Sequence, residues 1–256
     1  MWPRLGPLPT FGVLYSVSIL SHFLIGYLIA RRLRLRHRIW IVAGICYMVG
    51  MTIGAKALYD INNGQFDLRA LFSNSHYFKG GLWGGLLAYL VLAVPLVLIL
   101  AKRRWEALDL VGLSTPIPWI FVKLACLFNG CCYGKRCSMP WAIIFPEGAA
   151  GAPAGIPLHP TQIYEILVVM CIFVVFKFLK YQRWRGTMLL WFLFLYGTGR
   201  AVTEFFRGDV EHHFYIAGLT LSQIICFVSA GVSIILLLLR RRFACNDILD
   251  KGTTVC

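Results

Sequence analysis

The sequence predicts an all-α, polytopic membrane protein of about seven transmembrane helices, with the N-terminus outside and the C-terminus cytoplasmic. Three observations lead there. Hydrophobic residues make up 59% of the 256 and charged residues only 14%, whereas a soluble domain carries roughly 25% charged residues. The apolar residues fall in blocks of the length that crosses a bilayer, about 20 residues each, and the mean hydropathy is +0.71. The cations gather in clusters after every second block.

The blocks cover residues 11–30, 39–59, 80–101, 110–128, 161–179, 187–206 and 216–239. Arg31, Arg32, Arg34, Arg36 and Arg38 follow the first; Lys102, Arg103 and Arg104 the third; Lys180, Arg183 and Arg185 the fifth; Arg240, Arg241 and Arg242 the seventh. The loops after the second, fourth and sixth carry few cations and most of the acids. Lys and Arg mark cytoplasmic loops, so every odd-numbered exit is cytoplasmic. Residues 1–242 read as one membrane domain and 243–256 as a short, polar, disordered cytoplasmic tail. No cleavable signal peptide is expected, because the first ten residues carry only Arg4 and no small-residue cleavage site follows the first block. The net charge of +14 would suit nucleic acid if the cations lay on one face or tail. They lie between apolar blocks instead, so no nucleic-acid partner is expected.

An ionisable side chain inside a spanning helix costs about 2.5–3.5 kcal/mol on insertion scales and usually marks function. Lys56, Lys79, Lys123, Glu165, Arg200 and Glu204 are such residues, and all fall towards the outer half of the bilayer. Tyr196, Arg200, Glu204 and Arg207 share one helix face. The expected product is a polar, net-positive cavity open to the outer leaflet, fit for an anionic lipid headgroup. The bland alternative is a set of structural ion pairs, with Arg200 and Glu204 neutralising each other.

The loop from Cys126 to Cys137 holds Cys131 and Cys132 as well. Adjacent cysteines space poorly for a zinc cage, so no metal is expected. A disulfide from Cys131 or Cys132 to Cys137 is favoured on the oxidising side, and a reactive thiol beside Lys135 and Arg136 is the other option. Cys46, Cys171 and Cys226 read as small packing residues. His22 reads as a satisfied core side chain, and His212 and His213 as solvated.

Five stretches, in order, resemble the bacterial prolipoprotein diacylglyceryl transferases. Phe78-Lys79-Gly80-Gly81-Leu82 resembles that family's His-Gly-Gly-Leu. The stretch from Lys123 through Cys126, Asn129, Gly130 and Cys131 to Gly134 resembles its signature Arg-x-Gly-Asn-Phe-x-Asn-Gly-Glu-x-x-Gly. His159-Pro160-Thr161-Gln162-Ile163-Tyr164-Glu165 resembles its His-Pro-Ser/Thr-Gln-Leu-Tyr-Glu. Tyr196 to Arg207 resembles its Tyr-Gly-x-x-Arg-x-x-x-Glu-Phe-Phe-Arg, and Leu219 to Gln223 its Thr-Met-Gly-Gln stretch.

The resemblance implies seven helices and transfer of a diacylglyceryl group. The donor would be phosphatidylglycerol, the acceptor a lipobox cysteine thiol in an exported lipoprotein precursor, and the by-product glycerol 1-phosphate. No cofactor would be needed. It implies catalytic roles for Arg200, Glu204, Lys79, Tyr196 and Lys123. It implies substrate-binding roles for His159, Gln162, Glu165, Asn129, Gly130, Gly134, Arg207, Gly80 and Gly81. Lys79 stands where the family has His, Lys123 where it has Arg, Cys126 where it has Asn and Cys131 where it has Glu. These departures keep two further readings open: a paralogue with another acceptor or donor lipid, and a non-catalytic anionic-lipid-binding or transport protein.

Overall fold

The computed structural model describes residues 4–5, 8–62, 82–149, 151–179, 184–209, 215–216 and 218–249. Helices dominate, in the order α1 (Thr10–Arg32), α2 (His37–Val49), a π-helical turn (Gly50–Gly54), α3 (Ala55–Asn62), α4 (Leu82–Leu100), α5 (Arg104–Ser114), α6 (Pro116–Asn129), α7 (Thr161–Phe178), α8 (Met188–Glu204) and α9 (Leu221–Leu249). Among the described residues three pairs of two-residue antiparallel strands join the helices: β1 (Arg4–Leu5) with β2 (Leu8–Pro9), β3 (Ile143–Ile144) with β4 (Pro157–Leu158), and β5 (Tyr215–Ile216) with β6 (Leu219–Thr220).

Among the described residues five helical spans are long and apolar enough to cross a membrane: Thr10–Arg32, His37–Ala57, Arg104–Asn129, Thr161–Phe178 and Ser222–Arg240. A shorter apolar helix, Gly84–Leu100, lies among them. Large apolar side chains such as Leu20, Leu24, Val91, Ile99, Phe173 and Phe178 point outward. That inversion of the soluble pattern is what a hydrocarbon surround favours in spanning helices.

The spans follow the apolar blocks, with departures the hydropathy could not show. The fourth block is α5 and α6 together, broken at Thr115, where Pro116 sits at the first helical position and fits because it needs no N–H partner there. The second block contains the π-turn, and Gly50 lies against the backbone of Tyr89 in α4, where a β-carbon would not fit. The seventh block begins later than expected, at Leu221, after the β5–β6 hairpin. Its helix runs on to Leu249, into the segment read as a disordered tail.

Two features hold the ends of the bundle. At one end the Asp109 carboxylate accepts the backbone N–H groups of Gly186 and of Met188, the latter at 2.8 Å. Arg240 donates to the Gly186 carbonyl at 2.6 Å while lying over the Trp105 ring. At the other end the loop between α6 and α7 folds over Phe145, Ala152 and Leu158, which form a small core of their own. The start of this loop is tied to the segment that follows α8 by Lys135 N–H to Phe206 O (2.8 Å) and Gly208 N–H to Tyr133 O (3.0 Å). His22 is buried as expected, stacked on Tyr47 with centroids 4.1 Å apart. Cys46 and Cys226 are buried, but Cys171 is exposed on α7, so it does not pack inside the protein.

Candidate active site

The ionisable residues of three helices converge at the end of the bundle capped by the α6–α7 loop. Lys123 comes from the second half of α6 and Glu165 from the second turn of α7. Tyr196, Arg200 and Glu204 come from successive turns of α8. All five are buried to 3% exposure or less. Helical spacing stacks the α8 residues on one face, and the antiparallel run of α7 against α8 brings Glu165 onto that face.

Glu165 is the hub. Its Oε1 accepts from Lys123 Nζ at 2.8 Å and lies 3.7 Å from Arg200 Nε. Its Oε2 accepts the Tyr196 hydroxyl at 3.0 Å. Arg200 Nη1 pairs in turn with Glu204 Oε2. Thr220 donates to Glu204 Oε1 at 3.2 Å and also caps α9. Its Oγ1 accepts Gln223 N–H at 3.1 Å while its own N–H reaches Gln223 Oε1 at 3.0 Å, a reciprocal capping box. Lys123 lies 5.4 Å from the centre of the Trp119 ring, which stands edge-on to Tyr196.

Arg207, expected at the rim, has its fork filled by Asp209: Nε to Oδ1 at 2.8 Å and Nη2 to Oδ2 at 2.6 Å. Asp209, with Cys132 and Glu204 behind it, holds this guanidinium charged well above its ordinary value despite removal from water. Lys123, Arg200 and Arg207 thus face Glu165, Glu204 and Asp209. Among the described residues this network holds three charges of each sign, Arg200 with Glu204 forms the pair the bland reading foresaw, and Lys79, one of the expected cations, lies outside the described residues. Here Arg200 Nη2 is buried with no hydrogen-bond partner among the described residues, and so are Gln162 Oε1 and Asn129 Nδ2.

The remaining expected residues build the wall around this network. Gly130 ends α6 at φ 77°, a left-handed conformation that glycine adopts without strain, and its N–H returns to Cys126 O at 2.9 Å. Gly134 donates to His159 O at 3.0 Å, with no room for a side chain beside it. Gln162 Nε2 donates to Cys131 O at 2.7 Å, and Thr161 Oγ1 to Cys132 O at 2.5 Å. His159 stands apart from the ion network. Its Nδ1 lies 2.9 Å from the Tyr164 hydroxyl, which also accepts Trp141 Nε1 at 2.9 Å, and its ring packs on Phe206. Lys79, Gly80 and Gly81 lie outside the described residues, as do His212 and His213.

The cysteine loop departs from expectation. Cys131, Cys132 and Cys137 are free thiols, so the favoured disulfide is not formed. Cys131 and Cys132 turn instead towards Cys126 on α6, and the three sulfurs lie within 4.8 Å of one another. Hydrogen bonds from Cys126 and Cys131, then the charges of Arg207 and Lys123, hold the Cys132 thiol well below the usual thiol range.

Sequence reasoning gave no site role to four contributors. Thr220 had a visible signal, the Thr-x-x-Gln spacing of a capping box. Trp119 had a local signal too, Lys123 one helical turn on, whereas Trp141 had none, its partner Tyr164 being 23 positions away. Cys126 looked like one end of a loop motif, and only its place in the last turn of α6 brings it under the two adjacent cysteines.

Between α7 and α8 a groove of about 470 Å³ opens sideways, lined by Tyr164, Leu167, Val168, Leu195, Val202 and Phe206 among others. It is almost wholly apolar and ends at Thr203 and Phe206, beside the Arg200–Glu204 turn.

The chain matches the family described as prolipoprotein diacylglyceryl transferase over residues 4–239. It is 30% identical over 195 residues to the phosphatidylglycerol–prolipoprotein diacylglyceryl transferase of Clostridium tetani, covering 73% of this chain and 75% of that protein. With the enzymes of the same name from Rhodospirillum rubrum and Rhizobium meliloti it shares 29% identity, over 217 and 250 residues. Those alignments cover 80% and 86% of this chain and 74% and 85% of the relatives.

Proposed function

This chain belongs to the prolipoprotein diacylglyceryl transferase family, and on that footing we propose how its residues carry out the transfer. It is a membrane transferase that moves a diacylglyceryl group from phosphatidylglycerol to a prolipoprotein. The acceptor is the lipobox cysteine of an exported precursor. Its sulfur attacks the glyceryl carbon that bears the phosphate, the carbon–oxygen bond breaks, and glycerol 1-phosphate leaves.

The observation that carries this reading is the buried Lys123–Glu165–Tyr196–Arg200–Glu204 network with spare Arg200 donors, set at the end of a lateral apolar groove. Negative charge grows on the phosphate as the bond breaks. A guanidinium already fixed by Glu165 and Glu204 meets that charge without reorganising, which is where fixed electrostatics help most. Glu165 and Tyr196 position Arg200 and Lys123 rather than touching lipid. The groove between α7 and α8 takes an acyl chain and delivers the headgroup to Arg200. Lys79 is the residue the family pattern sets at the place of the base. The cation clusters support an outside N-terminus and a site facing the outer leaflet of a bacterial inner membrane.

A second reading, transfer to another acceptor or from another lipid, is favoured by Cys126 and Cys131 standing at the signature's Asn and Glu positions. Complementation separates the two. In bacteria depleted of their own transferase, the wild-type chain is expected to restore lipoprotein maturation and Arg200→Ala to fail at equal membrane abundance. Failure of both, with the wild type correctly inserted, would reject the lipobox acceptor and favour the second reading.

A further inference from the structure

We propose that Cys126, Cys131 and Cys132 hold a zinc ion whose fourth coordination position takes the acceptor thiol. The proposal rests on the transfer reading above and gives the activation of the attacking sulfur to a metal rather than to a base at Lys79.

Three thiols converge on one point, with all sulfurs within 4.8 Å of one another. A tetrahedral zinc with Zn–S bonds near 2.3 Å separates its sulfurs by about 3.8 Å, so a small inward shift suffices. Cys126 is fixed in the last turn of α6 and is fully buried, while Cys131 and Cys132 are half-buried. The adjacent pair is held from both sides. Gly130 turns the chain out of α6, and the first turn of α7 grips the carbonyls of Cys131 and Cys132 through Gln162 and Thr161. Cys132 itself adopts φ 59°, a conformation uncommon outside glycine that persists where the surroundings impose it. The thiols are therefore positioned before any ion arrives.

The donor set selects the ion. The group contains sulfur alone, with no imidazole or carboxylate, which favours thiophilic d10 ions over magnesium or calcium. Zinc adds no redox chemistry and exchanges its fourth ligand. Three protein ligands and one open position is the arrangement of catalytic rather than structural zinc. Three thiolates around a dication carry one net negative charge.

The step balances without an oxidant or reductant. The acceptor thiol binds zinc as thiolate, because a coordinating thiol is deprotonated outright, and its proton passes to solvent. The zinc-bound sulfur attacks the glyceryl carbon, the carbon–oxygen bond breaks with its electron pair moving to the phosphate oxygen, and the thioether leaves the metal. One ion would thereby answer two departures from the family pattern: the missing His at Lys79, and cysteines in place of Asn and Glu.

The test uses the full chain in detergent, reduced and loaded with cobalt(II) as the spectroscopic stand-in for zinc. The expected result is one cobalt per chain and a sulfur-to-cobalt charge-transfer band. The band should strengthen when a single-cysteine lipobox peptide is added and stay unchanged with the Cys→Ser peptide. Cys132→Ser should lose the band and Cys137→Ser should keep it, with both variants folded as judged by thermal unfolding without metal. No band, a band retained in Cys132→Ser, or a band indifferent to the peptide thiol would overturn the proposal. So would transfer activity that survives complete chelation. A chain that binds cobalt and peptide thiol as expected but transfers no lipid would uphold the metal site and refute the transfer reading instead.

Discussion

At Glu165 three donors from two other helices meet one carboxylate, and all are out of reach of water. Removing one member of such a buried set leaves its partners charged and unpaired, which costs about 3–5 kcal/mol. Glu165→Gln is therefore expected to lower unfolding stability in detergent by that order. Adding Lys123→Met should recover part of the loss, because the stranded cation goes with it. Equal loss in the single and double variants would show that the pairing is not what holds these helices. Arg200→Lys keeps the charge and loses the planar fork that grips two phosphate oxygens. Transfer should fall about tenfold or more, each tenfold being about 1.4 kcal/mol in the barrier. At this scale the sequence showed which ions are misplaced in a membrane but not their partners. Lys123 and Glu165 are 42 positions apart, and nothing local says that Glu165, rather than Arg200, is the hub.

Helix ends carry the site as much as side chains do. Thr220 caps α9 and touches Glu204 in one gesture. Thr220→Ala is expected to cost about 1 kcal/mol of stability and to weaken transfer as well, while Thr220→Ser restores both. A stability loss with unaltered transfer would separate the cap from the site. The apolar blocks made the helices legible, because hydropathy reports burial in lipid directly. The π-turn at Gly50–Gly54 was not legible, because it is a shift in backbone hydrogen-bond register, whereas the break at Thr115 had a signal in Pro116 and Pro118 that hydropathy alone passes over. The thiol cluster escaped notice for a related reason. Cysteine spacing read along a loop favoured Cys137, whereas one turn of helix brings Cys126 closer.

For the molecule as a whole, composition and the alternation of cation clusters were enough to indicate a membrane fold. They could not show the lateral groove, whose walls come from two helices that the sequence places apart. Val202 is half-exposed on that groove. Val202→Trp should raise the KM for long-chain phosphatidylglycerol more than for a short-chain analogue. Equal effects on both would remove the groove from the donor's path. Orientation has its own check. In intact cells a membrane-impermeant maleimide should label Cys137 in the capping loop. A cysteine introduced as Arg36→Cys should react only after permeabilisation. The reverse pattern would invert the topology and set the site on the cytoplasmic side.

The most direct measurement is transfer itself. Purified protein is incubated with phosphatidylglycerol labelled in an acyl chain and a lipobox peptide, beside the Cys→Ser peptide and the Arg200→Ala enzyme. Label is expected on the cysteine peptide, matched mole for mole by released glycerol 1-phosphate, and absent from both controls. Lipid bound in an Arg200-dependent way, with no label passing to the peptide, would contradict the assignment of this network as the catalytic centre of a lipobox transferase.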